Sequence, residues 1–383
     1  MVPIDNLAAA DAFFAFTFST FVDYACIMNG YEHLSVEALV VIGIGTMAIW
    51  SICNLLRVDQ QGKIHTFAAS LQIIFTVAVL VSLWSTCQQG QQASASDVFF
   101  KTYNGTGFAS FPYVVLIGIL SSLYSFTGYE AAAHMAEETQ DASMAVPKGI
   151  VYTCIATAIT GGLYILSLLF ASAYHVEEFA SSEIGATYIF QKCMGDRGAN
   201  IMNYFILVNL FFSGMSSLTV TIRTAFAVAR DGGFPFSTYV QQVNPRSKVP
   251  EYAVFAVFLM GSSLLLLQLI SSTAFVAVTS TSTIGFQISY AIPIILRVTV
   301  FREKFQKADF HLGRWGVVCG RIAAIFLVTT SILFTFPVQY PITFENFNYT
   351  IVILAACATL GTIHWTFSGR YWFLGPGREH IVD

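Results

Sequence analysis

The chain of 383 residues is 55% hydrophobic and only 10% charged, with a mean hydropathy of +0.66. Soluble domains carry about 25% charged residues, so a surface this poor in charge must face lipid. The net charge of −4 and the lack of any basic run exclude nucleic acid as a partner. Met1 to Ala10 holds no Lys or Arg, so the first apolar run reads as a membrane span rather than a secretory leader.

A bilayer crossing takes about twenty helical residues. Ten stretches meet that length: 8–28, 35–56, 65–86, 111–137, 148–172, 199–229, 251–271, 274–297, 317–337 and 349–367. The fold class expected is therefore all-α integral membrane, with no soluble domain. With alternating spans and a cytoplasmic N-terminus, 15 of the 18 Lys and Arg residues fall on the inner side. Only Lys101, Lys192 and Arg197 fall outside, the asymmetry that sets membrane orientation. Both termini are then cytoplasmic. The sequons at Asn104 and Asn348 fall on the outer side as candidate N-glycosylation sites.

Seven cysteines show no metal spacing. Cys87 and Cys193 are placed on the outer side, where a disulfide between them is open. The seven histidines (33, 65, 134, 175, 311, 364 and 380) are scattered. With no paired carboxylates and no nucleophile elbow, nothing supports a membrane enzyme, a metal site or a cofactor.

Thr127-Gly128 lies well inside an apolar run, and Glu130 follows two residues on. Glycine weakens a helix there, and an ionisable group in a span needs a partner or water. Two readings stand: a broken helix that presents free backbone to a substrate, or a packing glycine beside a carboxylate near the inner interface. Asp11 reads as lying at the inner interface. Asp23 lies deeper, as an ion or substrate contact or as a structural hydrogen-bonding group. Ser213, Ser216, Ser217 and Thr219 share one helix, where hydroxyls either coordinate an ion or bond back to the backbone. Arg223 and Arg230 lie seven residues apart near the inner end of that helix; Arg223 reads as paired, in a gating ion pair, or as snorkelling.

FTGYEAAAHMAEETQDA (126–142), followed by VPKGI (146–150), resembles the sixth span and following loop of the eukaryotic amino acid/choline transporter family. That family belongs to the amino acid–polyamine–organocation superfamily and includes GABA permeases and bidirectional amino-acid transporters. FFSGMSSLTVTIRTAFAVARDGGFPFS (211–237) is similar to its eighth span and exit, and NPRSKVPEYAV (244–254) to the loop into the ninth. STIGFQISYAIPIILR (282–297) looks like the tenth span, and FHLGRWG (310–316) like the loop before the eleventh. FPVQYPITFENFNYT (336–350) and WFLGPGR (372–378) resemble the last outer loop and the tail.

The resemblance implies a LeuT-type bundle of two inverted five-helix repeats and two further helices. The runs at 8–28 and 35–56 align with the family's third and fourth spans, so the first two of the usual twelve are expected to be missing. On that alignment 8–86 is the remainder of the first repeat, 111–297 the second, and 317–367 the accessory pair. Substrate would bind at Ser125, Phe126, Thr127 and Gly128, with Tyr129 and Glu130 opening the second half-helix. Glu130, Asp23, Ser213, Ser216 and Ser217 are the candidate ion-coupling residues. H+ is expected ahead of Na+, and the third run holds no Lys that could stand in for sodium. The function expected is secondary active transport of amino acids or related amines such as GABA or choline, in the plasma membrane or an internal one. The alternative is a non-transporting fragment, or a regulatory membrane partner of intact permeases.

Overall fold

The computed structural model describes residues 2–86, 93–172, 178–179, 184–233, 236–302, 305, 308–344 and 346–372. Cys87, His175, Lys304, Lys307, Arg378, His380 and most of the 372–378 motif lie outside these. The described residues are helical, with no strand among them.

In chain order the helices are α1 (Val2–Met28), α2 (Val36–Asn54), α3 (Val58–Thr86), the short α4 (Ala95–Phe100), α5 (Phe111–Ser125) and α6 (Ala131–His134). After a 3₁₀ turn at Ala136–Glu138 come α7 (Ala142–Ala171), α8 (Gly185–Arg230), the short α9 (Ser237–Val240), α10 (Glu251–Ile270) and α11 (Ser272–Val298). The described chain closes with α12 (Trp315–Leu333), α13 (Thr350–His364), a π-turn at Trp365–Gly369 and α14 (Arg370–Trp372).

Among the described residues eight helices are long and apolar enough to cross a membrane: those formed by Leu7–Met28, α2, α3, α7, α8, α10, α12 and Thr350–Gly369. The two remaining expected spans depart from the sequence reading for different reasons. The 111–137 run is not one helix, because it breaks after Ser125. The 274–297 run does form a helix of full crossing length, α11, but its hydroxyls keep it out of the apolar class. Polar side chains of this helix face inward: the hydroxyls of Thr279, Thr281 and Ser282 and the amide of Gln287 belong to buried residues. The 199–229 run is also longer than expected, starting at Gly185 with a break in helical geometry at Gly195.

Short side chains explain how the centre assembles. Ala8, Ala9, Ala12 and Ala15 of α1 are all but fully buried, and small residues let helices approach where no water drives them together. Against α1 pack α2, α8, α10 and α11. The core that results joins Val40, Met47 and Trp50 to Met215, Leu218 and Ile222, and to Val254, Val257, Leu265 and Phe275. Trp50 fits because Gly214 opposes it: a Cβ at 214 would sit 2.1 Å from the indole ring. A second cluster ties α3 and α7 to the first part of α8, around Leu83, Ala171 and Phe190.

Polar side chains serve the same assembly. Ser35 caps α2 by accepting the Ala38 N–H at 3.3 Å, and Ser271 caps α11 by accepting that of Ala274 at 3.2 Å. Gln287 Oε1 accepts hydrogen bonds from Thr330 (3.0 Å) and Ser331 (2.9 Å), which locks α11 to α12 with its own oxygen satisfied. Outward faces are apolar, as on α3, where Ile73, Ile74, Val77 and Val81 are exposed. That surface is what lipid requires.

Candidate functional site

The interruption between α5 and α6 is the most unusual backbone in the bundle. Helix ends at Ser125, and five residues turn before Ala131 resumes it. Gly128 makes this turn with φ +99°, a conformation that L-residues rarely adopt. The Glu130 side chain reaches back, and its Oε2 accepts the Gly128 N–H at 3.1 Å. Gly128 O in turn accepts the Ala131 N–H at 3.2 Å. The carbonyls of Phe126 and Thr127 take no backbone partner among the described residues. Ser125 to Gly128 are exposed, Tyr129 is half-buried and Glu130 is buried. The expectation that Tyr129 and Glu130 open the second half-helix is shifted by one step: that helix starts at Ala131, with Glu130 as its N-cap.

Side chains on both flanks anchor the turn to the rest of the bundle. Tyr129 packs against Tyr290 of α11 with ring centroids 6.3 Å apart, and Tyr290 stacks on Phe286 at 6.4 Å. The His134 Nδ1 lies 3.3 Å from the Thr224 hydroxyl of α8. Farther on, Arg230 forks onto Glu137 with two hydrogen bonds of 2.7 and 2.8 Å. Spacing along a single helix could not reveal this partner of Arg230. Both groups are substantially exposed, so the pair contributes at most about 1 kcal/mol.

The α8 hydroxyls lie elsewhere. Ser216 donates to the Phe212 carbonyl at 2.9 Å and sits 3.0 Å from His65 Nδ1 of α3. Thr219 donates to Asn54 Oδ1 at 2.7 Å, and Gln61 donates to the Asn54 carbonyl at 2.9 Å. Ser217 donates to Asp11 Oδ1 at 2.5 Å. Ser213 is half-buried one turn earlier. His134 and Thr224 bridge this helix to the segment that follows the turn.

Two acidic residues take their roles from their surroundings. Asp11, read as lying at the inner interface, is completely buried among helices, on a helix that begins at residue 2. Asp23 is a loop anchor: it accepts the Leu34 N–H at 2.6 Å and lies 3.1 Å from His33 Nδ1. That geometry favours its structural hydrogen-bonding role. Among the described residues no three His, Cys, Asp or Glu converge as a metal site would require. Cys193 directs its sulfur to the Ala171 carbonyl at 3.8 Å. Of the sequons, Asn348 donates to the carbonyls of Phe334 (2.8 Å) and Phe336 (2.9 Å), while exposed Asn104 donates to that of Phe108.

A family model described as amino acid permease matches residues 3–357. The chain belongs to the amino acid permease family. Among its relatives, the amino-acid permease BAT1 of Arabidopsis thaliana is 38% identical over 352 residues, which cover 88% of this chain and 67% of that protein. The BAT1 homolog of Oryza sativa subsp. japonica is 35% identical, covering 84% of this chain and 64% of its own. A choline transporter of Saccharomyces cerevisiae is 28% identical, covering 81% and 57%. The chain thus spans about two thirds or less of the length of these relatives. They carry the names of permeases and transporters, which places this family member among non-enzymes. Its all-helical, multi-pass architecture agrees with the family.

Proposed function

We propose that this amino acid permease family member is a secondary transporter of amino acids or related small amines, working by alternating access around the turn at Ser125–Glu130. The observation that carries the reading is the unwound backbone at Gly128, flanked by two helical segments inside a lipid-facing bundle. Unpaired carbonyls cost several kcal/mol in hydrocarbon, so the open oxygens of Phe126 and Thr127 need water, protein or a ligand. The positive charge of a substrate amine suits them, with N–H donors added where the amine carries hydrogens. The names of the relatives, amino-acid permease and choline transporter, agree with a cationic amine as the shared recognition element.

Uptake into proteoliposomes preloaded with unlabelled solute tests this. A panel of labelled amino acids, GABA and choline should include at least one that exchanges with saturable kinetics. Failure of every solute, with correct insertion verified, would favour a non-transporting membrane partner.

For orientation, we propose cytoplasmic termini from the basic-residue asymmetry, 15 against 3 of 18. Single cysteines at 232 and at 313 should resist an impermeant reagent in intact cells, and one at 105 should react. Reaction at 313 with protection at 105 would invert the topology.

A further inference from the structure

Asp11 is fully buried at the α1–α8 contact, and its two oxygens differ. Oδ1 accepts the Ser217 hydroxyl at 2.5 Å. Oδ2 has no accessible surface and no hydrogen-bond partner. Thr221, one turn beyond Ser217 on the same face and itself fully buried, brings a second hydroxyl to the carboxyl. Both of these partners are neutral hydroxyls.

The charged groups on the helices packed around α1 lie far along their axes. Arg223 of α8 is six residues past Ser217, about 9 Å of helix rise. Arg230 lies farther along α8, Glu37 starts α2, Glu251 starts α10 and Arg297 ends α11. Tyr290 of α11 faces Tyr129 and Phe286, and His65 of α3 is held by Ser216 on a neighbouring face. Among the described residues no cation therefore lies beside Asp11 to compensate a negative charge, and an uncompensated buried carboxylate is strongly disfavoured. A neutral carboxylic acid escapes most of that cost. A metal cation is a poor substitute, because hard cations take about six oxygens; one carboxylate and two hydroxyls offer too few, and Oδ2 has no open space beside it.

We propose that Asp11, with Ser217 and Thr221, is an intramembrane proton-binding site: Oδ2 holds a proton while α1 and α8 are packed, and releases it to water when that contact opens. The proton moves between the carboxyl and a water molecule, with no other bond made or broken. If the transport reading above holds, this site deepens it by naming where the coupling ion binds.

The test uses the protein in liposomes and has two readouts. Infrared difference spectroscopy around neutral pH should show the carbonyl stretch of a buried, protonated carboxylic acid. Asp11→Asn should remove that band, while Ser217→Ala should keep it and move it to higher wavenumber, since the carbonyl loses its donor. A band that survives in Asp11→Asn, or that vanishes in Glu130→Gln instead, overturns the assignment. So does the absence of any such band in the parent. The second readout applies once solute exchange has been found. Asp11→Asn should then exchange solute as the parent does, yet accumulate none above the level reached with the pH gradient collapsed. Full gradient-driven accumulation by Asp11→Asn would overturn the coupling role. A parent that exchanges nothing would sink the transport reading alone, since the infrared result still decides the proton site.

Discussion

Gly128→Val should lower solute exchange at least about tenfold while leaving the protein folded and inserted. Gly128 holds φ at +99° with open space around its missing side chain, so the penalty lies in the backbone and not in a clash. A left-handed conformation costs an L-residue roughly 1–2 kcal/mol, and about 1.4 kcal/mol shifts an equilibrium tenfold. A β-branched residue falls at the upper end of that range. The turn would relax toward helix, and the open carbonyls at 126 and 127 would be consumed in intrahelical bonds. Gly161→Ala provides the control: it too has open space in a helix, but ordinary backbone angles, and alanine should be neutral or slightly stabilising there. Exchange by Gly128→Val equal to that of Gly161→Ala would remove the turn from the mechanism.

Glu130→Ala should cost a comparable amount by another route. Its carboxyl closes the turn onto the Gly128 N–H at 3.1 Å, a contact of about 1–3 kcal/mol if the oxygen is charged and less if it is neutral. Exchange should fall about tenfold in Glu130→Ala, but only a few-fold in Glu130→Gln, which keeps an acceptor oxygen of the same reach. The measurement is initial rate at saturating and subsaturating solute for both variants at equal membrane density. Equal losses in the two variants would mean that the hydrogen bond is not what Glu130 supplies.

Much of the bundle was legible because membrane spans write themselves in composition. The apolar runs that became α2, α7, α10 and α12 needed only length and the absence of charge. The reading stumbled where local sequence is ambiguous. Residues 111–137 form one unbroken apolar run by hydropathy, and only Gly128 followed by Glu130 hinted that the backbone turns there. The 274–297 run carries its hydroxyls visibly, but the partners of Gln287, Thr330 and Ser331, come from α12 and leave no mark in the run itself.

Asp11 shows a related limit. Its position near the start of an apolar run bears on depth in the membrane, whereas its burial depends on α8 lying alongside. The partner Ser217, 206 residues away in sequence, was read as a hydroxyl among others. Arg230 and Glu137 meet across 93 residues. Pairings between distant helices leave no trace in spacing, so the site residues were found as separate candidates and their grouping was not. The hydroxyl series on α8 shows the same limit: Ser216, Ser217 and Thr219 point to three different partners.

The central claim is that solute meets the chain at the turn between α5 and α6. Thr127→Cys, in a background whose other cysteines are serine, places a reactive thiol at an exposed position of that turn. The rate of its alkylation is to be measured in liposomes with and without each solute of the panel. The account predicts that the exchanged solute slows alkylation in a saturable manner, at concentrations matching those that half-saturate exchange, while unrecognised solutes leave the rate unchanged. An alkylation rate indifferent to a solute that the protein demonstrably exchanges would contradict the account and move the binding site elsewhere in the bundle.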